Sequence, residues 1–265
     1  MAPYSLIFVC VFSLFAAVQV PGTSALMFVS ATQCLCGSEI KWDLGLRLKR
    51  NDGGSGVSSS EITEIVNKHN ELRRSAEPTA SNMLKMSWNS EAAVNAHKWA
   101  STCSMRHSTK GSRKISSMGC GENLYMSKQR DTWSDAIQSW YDEVKDWHYG
   151  EGSFTGRDVG HFTQVDWYRS NHIGCGMAYC PDSDYTYFYV CHYCPPGNYQ
   201  LYEPYKKGPT CGDCPDACED KLCTNPCGYF DMYGNCADLK KKYGCHHKSV
   251  AAWCPASCKC TTEII

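Results

Sequence analysis

Along residues 58–73, Ile62, Ile65, Val66, His69 and Leu72 recur at helical spacing, which predicts a helix with one buried side. Ser58 with Glu61 three places on forms a capping box at its start, and Pro78 stops it. A second helix is predicted from Asn89-Ser90-Glu91, presenting Ala93, Ala96, Trp99, Ala100 and Cys103 on one side. A third runs from Ser134 to about Trp147, with Ile137, Trp140, Tyr141 and Val144 as its apolar stripe. Two stretches read as strands, residues 173–180 and the aromatic, β-branched run 185–191, joined by a turn at Pro181-Asp182-Ser183-Asp184. Helices interleaved with an antiparallel hairpin predict an α+β layered domain over residues 58–200.

Periodicity stops after Cys194-Pro195-Pro196-Gly197-Asn198-Tyr199. Pro204, Gly208 and Pro209 mark a linker, and residues 201–226 read as linker and cysteine-rich hinge ahead of a module at 227–260. Of the 19 cysteines, ten lie in residues 211–260. A segment of about 50 residues cannot bury enough apolar surface to fold on a core alone, so this tail needs cross-links. Each bridge contributes roughly 2–4 kcal/mol by restricting the unfolded chain.

Cysteine at this density means metal in a reducing compartment and disulfides in an oxidising one. The N-terminus favours the second. Leu6 to Val18 is an apolar run too short to span a bilayer comfortably; Pro21-Gly22 breaks it, and Thr23-Ser24-Ala25 offers small residues for cleavage. Residues 1–25 therefore read as a signal peptide and the protein as secreted, with no transmembrane segment. Arg47-Leu48-Lys49-Arg50 has the R-x-K-R form cut by furin-like proteases, which would make residues 26–50 a propeptide; the same four residues also fit an ordinary exposed basic run. Cysteine parity does not choose, since 16 remain after Arg50 and 18 after the signal peptide. With 26 Lys plus Arg against 27 Asp plus Glu, the charge carries no footprint for nucleic acid.

Chemistry centres on Gly160-His161-Phe162-Thr163-Gln164-Val165-Asp166-Trp167, where a histidine beside a glycine precedes a buried strand. Together with His69-Asn70-Glu71-Leu72-Arg73-Arg74, Gly121-Glu122-Asn123-Leu124, Trp140-Tyr141-Asp142-Glu143 and Tyr189-Val190-Cys191-His192-Tyr193-Cys194-Pro195-Pro196-Gly197-Asn198, this stretch resembles the signature blocks of the CAP superfamily. The tail, with Leu222-Cys223-Thr224-Asn225-Pro226-Cys227 and Cys254-Pro255-Ala256-Ser257-Cys258-Lys259-Cys260, resembles the cysteine-rich domain of vertebrate and reptile-venom cysteine-rich secretory proteins. The resemblance implies a three-layer α–β–α sandwich, then a small disulfide-rich hinge and a helical module similar to sea-anemone potassium-channel toxins (ShKT-like). It implies the pairings Cys103–Cys180, Cys120–Cys194, Cys175–Cys191, Cys211–Cys218, Cys214–Cys223, Cys227–Cys260, Cys236–Cys254 and Cys245–Cys258. It also marks Asp166 as a departure, because relatives usually carry an aliphatic residue there; a carboxylate beside Trp167 needs a partner or an exposed orientation.

The family's cleft residues map onto His107, Glu122, Glu143 and His161. Imidazoles suit Zn²⁺ or another divalent cation, so His107 and His161 are the candidate metal ligands, with Glu122 and Glu143 as cleft support. The same groups also suit acid–base chemistry, but there is no G-x-S-x-G elbow and no H-E-x-x-H helix, and the pairing scheme leaves no thiol among the 16 cysteines after Arg50. The expectation is a protein that is not an enzyme. His97, His148 and His246-His247 lack carboxylates at ligand spacing and read as solvated.

In the tail, Lys240, Lys241, Lys242, Lys248 and Lys259 face only Asp231 and Asp238 over residues 227–260. Aromatics lie among them. Lys242, Tyr243, Tyr229, Phe230 and Trp253 are candidate contacts for the acidic mouth of a calcium or potassium channel, while a solvated lysine face explains the same pattern equally well. The expected partner is a membrane ion channel or other cell-surface protein, met by a monomer. The competing reading is a reproductive-tract or immune secretory protein that binds cells or sterols through the first module.

Overall fold

The structure, a computed structural model, describes residues 56–265 except Ser117, together with the backbone of Leu14–Gln19 and Leu26–Ala31. Those two stretches pair antiparallel, Leu14 opposite Ala31 through Gln19 opposite Leu26, within a unit of their own, Met1–Arg50. The Arg50 cleavage motif, Cys10, Cys34 and Cys36 lie outside the described residues, as does most of the expected signal peptide and propeptide. Among the described residues no helix is long and apolar enough to cross a membrane. The second unit, Asn51–Ile265, holds all the remaining elements.

Helix α1 (Ser59–Arg74) starts where its capping box places it: Ser58 accepts from the Glu61 amide at 3.3 Å, and the Glu61 carboxylate accepts from the Ser58 amide at 2.7 Å. The chain continues through β1 (Ser87–Trp88), α2 (Ser90–Ala100), β2 (Gly121–Ser127), α3 (Trp133–Tyr141), α4 (Gly160–Val165), β3 (His172–Tyr179) and β4 (Tyr187–Cys194). The sheet order is β1-β3-β4-β2, parallel between β1 and β3 and antiparallel elsewhere.

Each sheet face carries its own layer of helices, giving an α–β–α sandwich. On one face α1 and α3 bury Ile65, Leu72, Trp133, Ile137 and Trp140 against Ile173, Tyr189, Cys191 and Tyr193. On the other, Ala96 and Ala100 of α2 pack on Leu124, Phe188 and Val190. Burying each large apolar side chain contributes on the order of 1.5–3 kcal/mol. The alanine face of α2 lies directly on Gly174 and Gly176, where a Cβ would collide with the backbone of Ala93 and of His97.

Several elements differ from the sequence expectation. Helix α3 ends at Tyr141, and the chain tightens into a 3₁₀ turn over Asp142–Asp146 instead of running to Trp147, which swings Glu143 toward α4. Cys103 lies past the end of α2 in a left-handed conformation, φ 51°. The hairpin loop is longer than four residues, closed by the Cys180 amide on the Thr186 carbonyl, so β4 starts at Tyr187 and continues to Cys194. The histidine stretch itself is the short helix α4.

The stretch after β4 is not a free tether. Tyr205 is buried, and the Ser81, Gly208 and Asp213 amides bond across to Lys206, Thr79 and Ser81 carbonyls. The hinge forms a two-rung ribbon, Cys218–Glu219 with Leu222–Cys223, whose turn residues Asp220 and Lys221 both have positive φ, as a tight hairpin turn requires. Three short helices complete the chain, α5 (Cys236–Tyr243), α6 (Lys248–Trp253) and α7 (Pro255–Lys259). Among the described residues there are eight disulfides: Cys103–Cys180, Cys120–Cys194, Cys175–Cys191, Cys211–Cys218, Cys214–Cys223, Cys227–Cys260, Cys236–Cys254 and Cys245–Cys258.

Candidate functional site

A cleft of about 640 Å³ opens at the β2 edge of the sheet, and both His107 and His161 line it. Side chains alternate across a strand, so neighbouring residues of β2 serve opposite layers. Glu122 turns toward the α2 side and grips His107; Asn123 turns toward α4 and holds the backbone of His161, its Nδ2 donating to the His161 carbonyl at 3.0 Å.

Each imidazole is tied through Nδ1 to a carboxylate. His107 Nδ1 bonds Glu122 Oε1 at 2.8 Å, and His161 Nδ1 bonds Glu143 Oε1 at 2.6 Å. A carboxylate on Nδ1 fixes that nitrogen as the donor and leaves the Nε2 lone pair for a ligand. Among the described residues neither Nε2 has a hydrogen-bond partner, so each imidazole keeps one nitrogen free to accept a ligand.

The carboxylates do different jobs. Glu143 also accepts from the His161 and Phe162 amides at 2.9 and 3.0 Å. It thereby caps α4, whose own N-cap residue, Val159, has no side chain for the purpose. Glu122 is saturated: besides His107 it accepts from the Ser108 amide (2.8 Å), Ser108 Oγ (2.6 Å) and His192 Nε2 (3.0 Å), with Arg113 Nη1 at 3.6 Å. Burial alone would raise its pKa, but the bonds from His107, His192 and Ser108 outweigh that and hold the carboxyl well below its ordinary range. Such a group neither carries a proton near neutral pH nor has a lone pair left for a metal.

Behind the cleft a buried relay ties these residues to α1. His69 Nδ1 donates to the Ile65 carbonyl at 2.8 Å, its Nε2 accepts from Tyr193 Oη at 2.9 Å, and that hydroxyl accepts from Asn123 Nδ2 at 3.3 Å. Burial lowers the His69 pKa to about 4, so the ring is neutral and the relay keeps this direction. His192, Ser108, Arg113 and Asn123 did not emerge from the sequence as cleft residues. The available signal was a histidine inside an otherwise apolar strand.

Asp166 has neither the partner nor the exposure expected of it. It is 0% exposed, and neither carboxylate oxygen has a hydrogen bond among the described residues. Burial raises its pKa to about 7, opposed by the Arg73 charge. The solvated reading of the remaining histidines holds for the exposed His246 and His247; His148, also exposed, stacks on Phe154 with the Glu151 carboxylate 3.7 Å from its Nδ1, and half-buried His97 bonds the Met177 carbonyl.

On the terminal module, Tyr229, Tyr243 and Trp253 are exposed, and Lys242 Nζ sits 5.1 Å from the Tyr243 ring centre. Lys259 covers Tyr229 in the same way at 4.2 Å. Met232 and Tyr233, which the sequence did not single out, add to the exposed apolar surface. Phe230 is a correction: it is half-buried beneath the Arg169 guanidinium, 4.9 Å from its ring, where Arg169 also bonds the Tyr229 carbonyl. It therefore fastens the module and is not free as a contact. Lys240 is likewise committed, to the Ser257 carbonyl at 2.6 Å. Cys211, Cys214 and Cys223 bring their sulfurs within 4.8 Å of one another, but all three are in disulfides and offer no thiolate to a metal.

The model of the Cysteine-rich secretory protein family matches residues 66–193, and the model described as Crisp matches residues 211–265. Cysteine-rich secretory protein 3 of Homo sapiens is 55% identical over 205 residues, covering 76% of this chain and 83% of that protein. Cysteine-rich venom protein helothermine of Heloderma horridum horridum is 54% identical over 207 residues, covering 76% and 85%. Among solved structures, NaASP2 with Zn²⁺ aligns with a TM-score of 0.55 and 30% identity, covering 64% of this chain and 97% of that one. Na-ASP-1 aligns at 0.57 and 28%, covering 69% and 51%. The chain, with its three-layer sandwich and its disulfide-rich terminal module, belongs to the cysteine-rich secretory protein family.

Proposed function

We propose that this is a secreted, non-enzymatic protein that modulates a calcium or potassium channel through its terminal module and carries a divalent cation in its cleft. The observation that carries the channel reading is the Lys242–Tyr243 pair: an exposed cation stacked on an exposed ring, on a scaffold held by three disulfides. A rigid aromatic loses little entropy on docking, and a lysine complements an acidic pore mouth. Lys242, Tyr243, Tyr229 and Trp253 form the contact set, with Phe230 behind it. That one relative is a venom protein accords with this.

His107 and His161 would hold the cation, and Glu122 and Glu143 would keep their rings in the ligating tautomer. Zn²⁺ in such a site supplies a fixed positive charge and Lewis acidity. The presence of Zn²⁺ with the similar NaASP2 supports its choice. Turnover is disfavoured because Glu122 is locked as a carboxylate with every lone pair engaged.

A second reading, a cell-surface protein or sterol met by the first module, draws on one feature. Phe154, Tyr199, Leu201 and Tyr202 are exposed on two loops joined by the Gly150 amide on the Tyr202 carbonyl. The two readings part in a whole-cell current recording with the full protein: block that is lost on Lys242→Ala/Tyr243→Ala supports the channel reading, and a wild-type protein that alters neither calcium nor potassium current removes it.

A further inference from the structure

His192, the histidine inside the apolar strand β4, is the cleft's buried neighbour. It stands on β4 directly opposite Glu122 of β2, with Gly174 of β3 on its other side. Because α2 lies on the Gly174 backbone, the histidine is sealed between helix and sheet at 0% exposure. A polar ring in that place needs a partner, and it has one: Nε2 lies 3.0 Å from Glu122 Oε2. Among the described residues its buried Nδ1 has no hydrogen-bond partner.

That asymmetry assigns the tautomer. A proton on Nδ1 would be a buried N–H with no acceptor, whereas a proton on Nε2 meets a carboxylate. His192 is thus a neutral ring donating from Nε2. Its bond closes the last free position of Oε2, whose other donor is Ser108 Oγ, while Oε1 takes the Ser108 amide and His107 Nδ1.

We infer that His192 is a positioning residue for the cleft: by fixing the Glu122 carboxylate from behind, it fixes His107 as the Nδ1–H tautomer with Nε2 turned to a metal. The inference rests on reading the cleft as a metal site, yet its structural half concerns the metal-free protein alone. His161 has no counterpart, since Glu143 is anchored by two amides of α4. The two ligands therefore differ in how they are held: one by a helix end, the other by a second histidine. A side chain that merely filled the space would leave Glu122 to rotate about its Ser108 bonds and the His107 proton to redistribute between its nitrogens.

The test is ¹⁵N NMR of the histidine rings in the full metal-free protein, followed by Zn²⁺ titration calorimetry, on wild type, His192→Leu and His192→Gln. The expected result is Nε2–H for His192 and Nδ1–H for His107 in wild type. His192→Leu should mix the His107 tautomers and weaken Zn²⁺ about ten- to a hundred-fold. His192→Gln, which keeps a donor, should restore both. A His107 tautomer unchanged in His192→Leu overturns the inference, as does an Nδ1–H tautomer of His192 in wild type, a reading that needs no variant to fold. If wild type takes up no Zn²⁺ while the tautomers behave as described, the metal reading fails and the positioning role stands.

Discussion

Arg73 and Asp166 lie in the same buried region, and the guanidinium directs its five N–H bonds to the carbonyls of Leu84, Val165, Trp167 and Tyr168, not to the carboxylate. The core thus holds an arginine satisfied by main chain and an aspartate with no bond. Tyr205, whose hydroxyl is also buried and unbonded, has its pKa raised by burial and further by the Asp166 charge.

This pair makes stability depend on pH. The Asp166 pKa is about 7 in the folded protein against an ordinary 3.8, so between those values the folded state keeps a proton that the unfolded chain has lost. Its contribution is fully present below the lower value and is lost as pH rises through about 7. Asp166→Val should be more stable than wild type at pH 8 by on the order of 2–4 kcal/mol, with a much smaller difference at acid pH. Guanidinium unfolding at both ends of that range, disulfides intact, checks the sign.

Glu122 works in the opposite direction. Its depressed pKa stabilises the fold above the ordinary carboxylate range, and that stabilisation is lost on acidification below it. Glu122→Gln should cost about 3–5 kcal/mol, because it leaves buried donors without their charged acceptor. Thermal melts at neutral pH measure the loss, and an unchanged melting temperature would refute the role.

Glu143→Gln should act on two levels. Losing the cap on α4 costs about 1 kcal/mol, and losing the carboxylate on His161 Nδ1 should weaken Zn²⁺ about ten- to a hundred-fold. Calorimetric titration reads the second effect apart from the first. His161→Ala provides the limit, with binding reduced further still.

Arg169→Ala should loosen the terminal module without unfolding it, because it removes both the bond to the Tyr229 carbonyl and the stacking on Phe230. Amide hydrogen exchange around Cys227–Asp231 should quicken while α1 and the sheet stay protected.

Local signals were legible in the sequence where local contacts decide the structure. The Ser58–Glu61 box and the spacing of Ile65 and Leu72 mark α1 because a helix start and its buried face depend on near neighbours. Helix α4 escaped because its cap comes from Glu143, on another element, and Val159 gives no sign of it. The family resemblance led to His107, Glu122, Glu143 and His161, but His192 becomes a cleft residue only through strand register. Pro204, Gly208 and Pro209 suggested a tether, whereas Tyr205 packs with Met83, Trp147 and Phe162. Phe230 has the same sequence character as its exposed aromatic neighbours; what covers it is Arg169, far earlier in the chain.

The central claim is that two separate surfaces work independently, a metal cleft on the first module and a channel face on the last. Current recordings with wild type, Lys242→Ala/Tyr243→Ala and His161→Ala, each with Zn²⁺ and with a chelator, test it in one experiment. The predicted result is channel block by wild type and His161→Ala alike, insensitive to chelation, and at least about ten-fold weaker in Lys242→Ala/Tyr243→Ala, corresponding to a loss of about 1.4 kcal/mol. Equal block by the Lys242/Tyr243 variant, or block that vanishes with the metal, would contradict it.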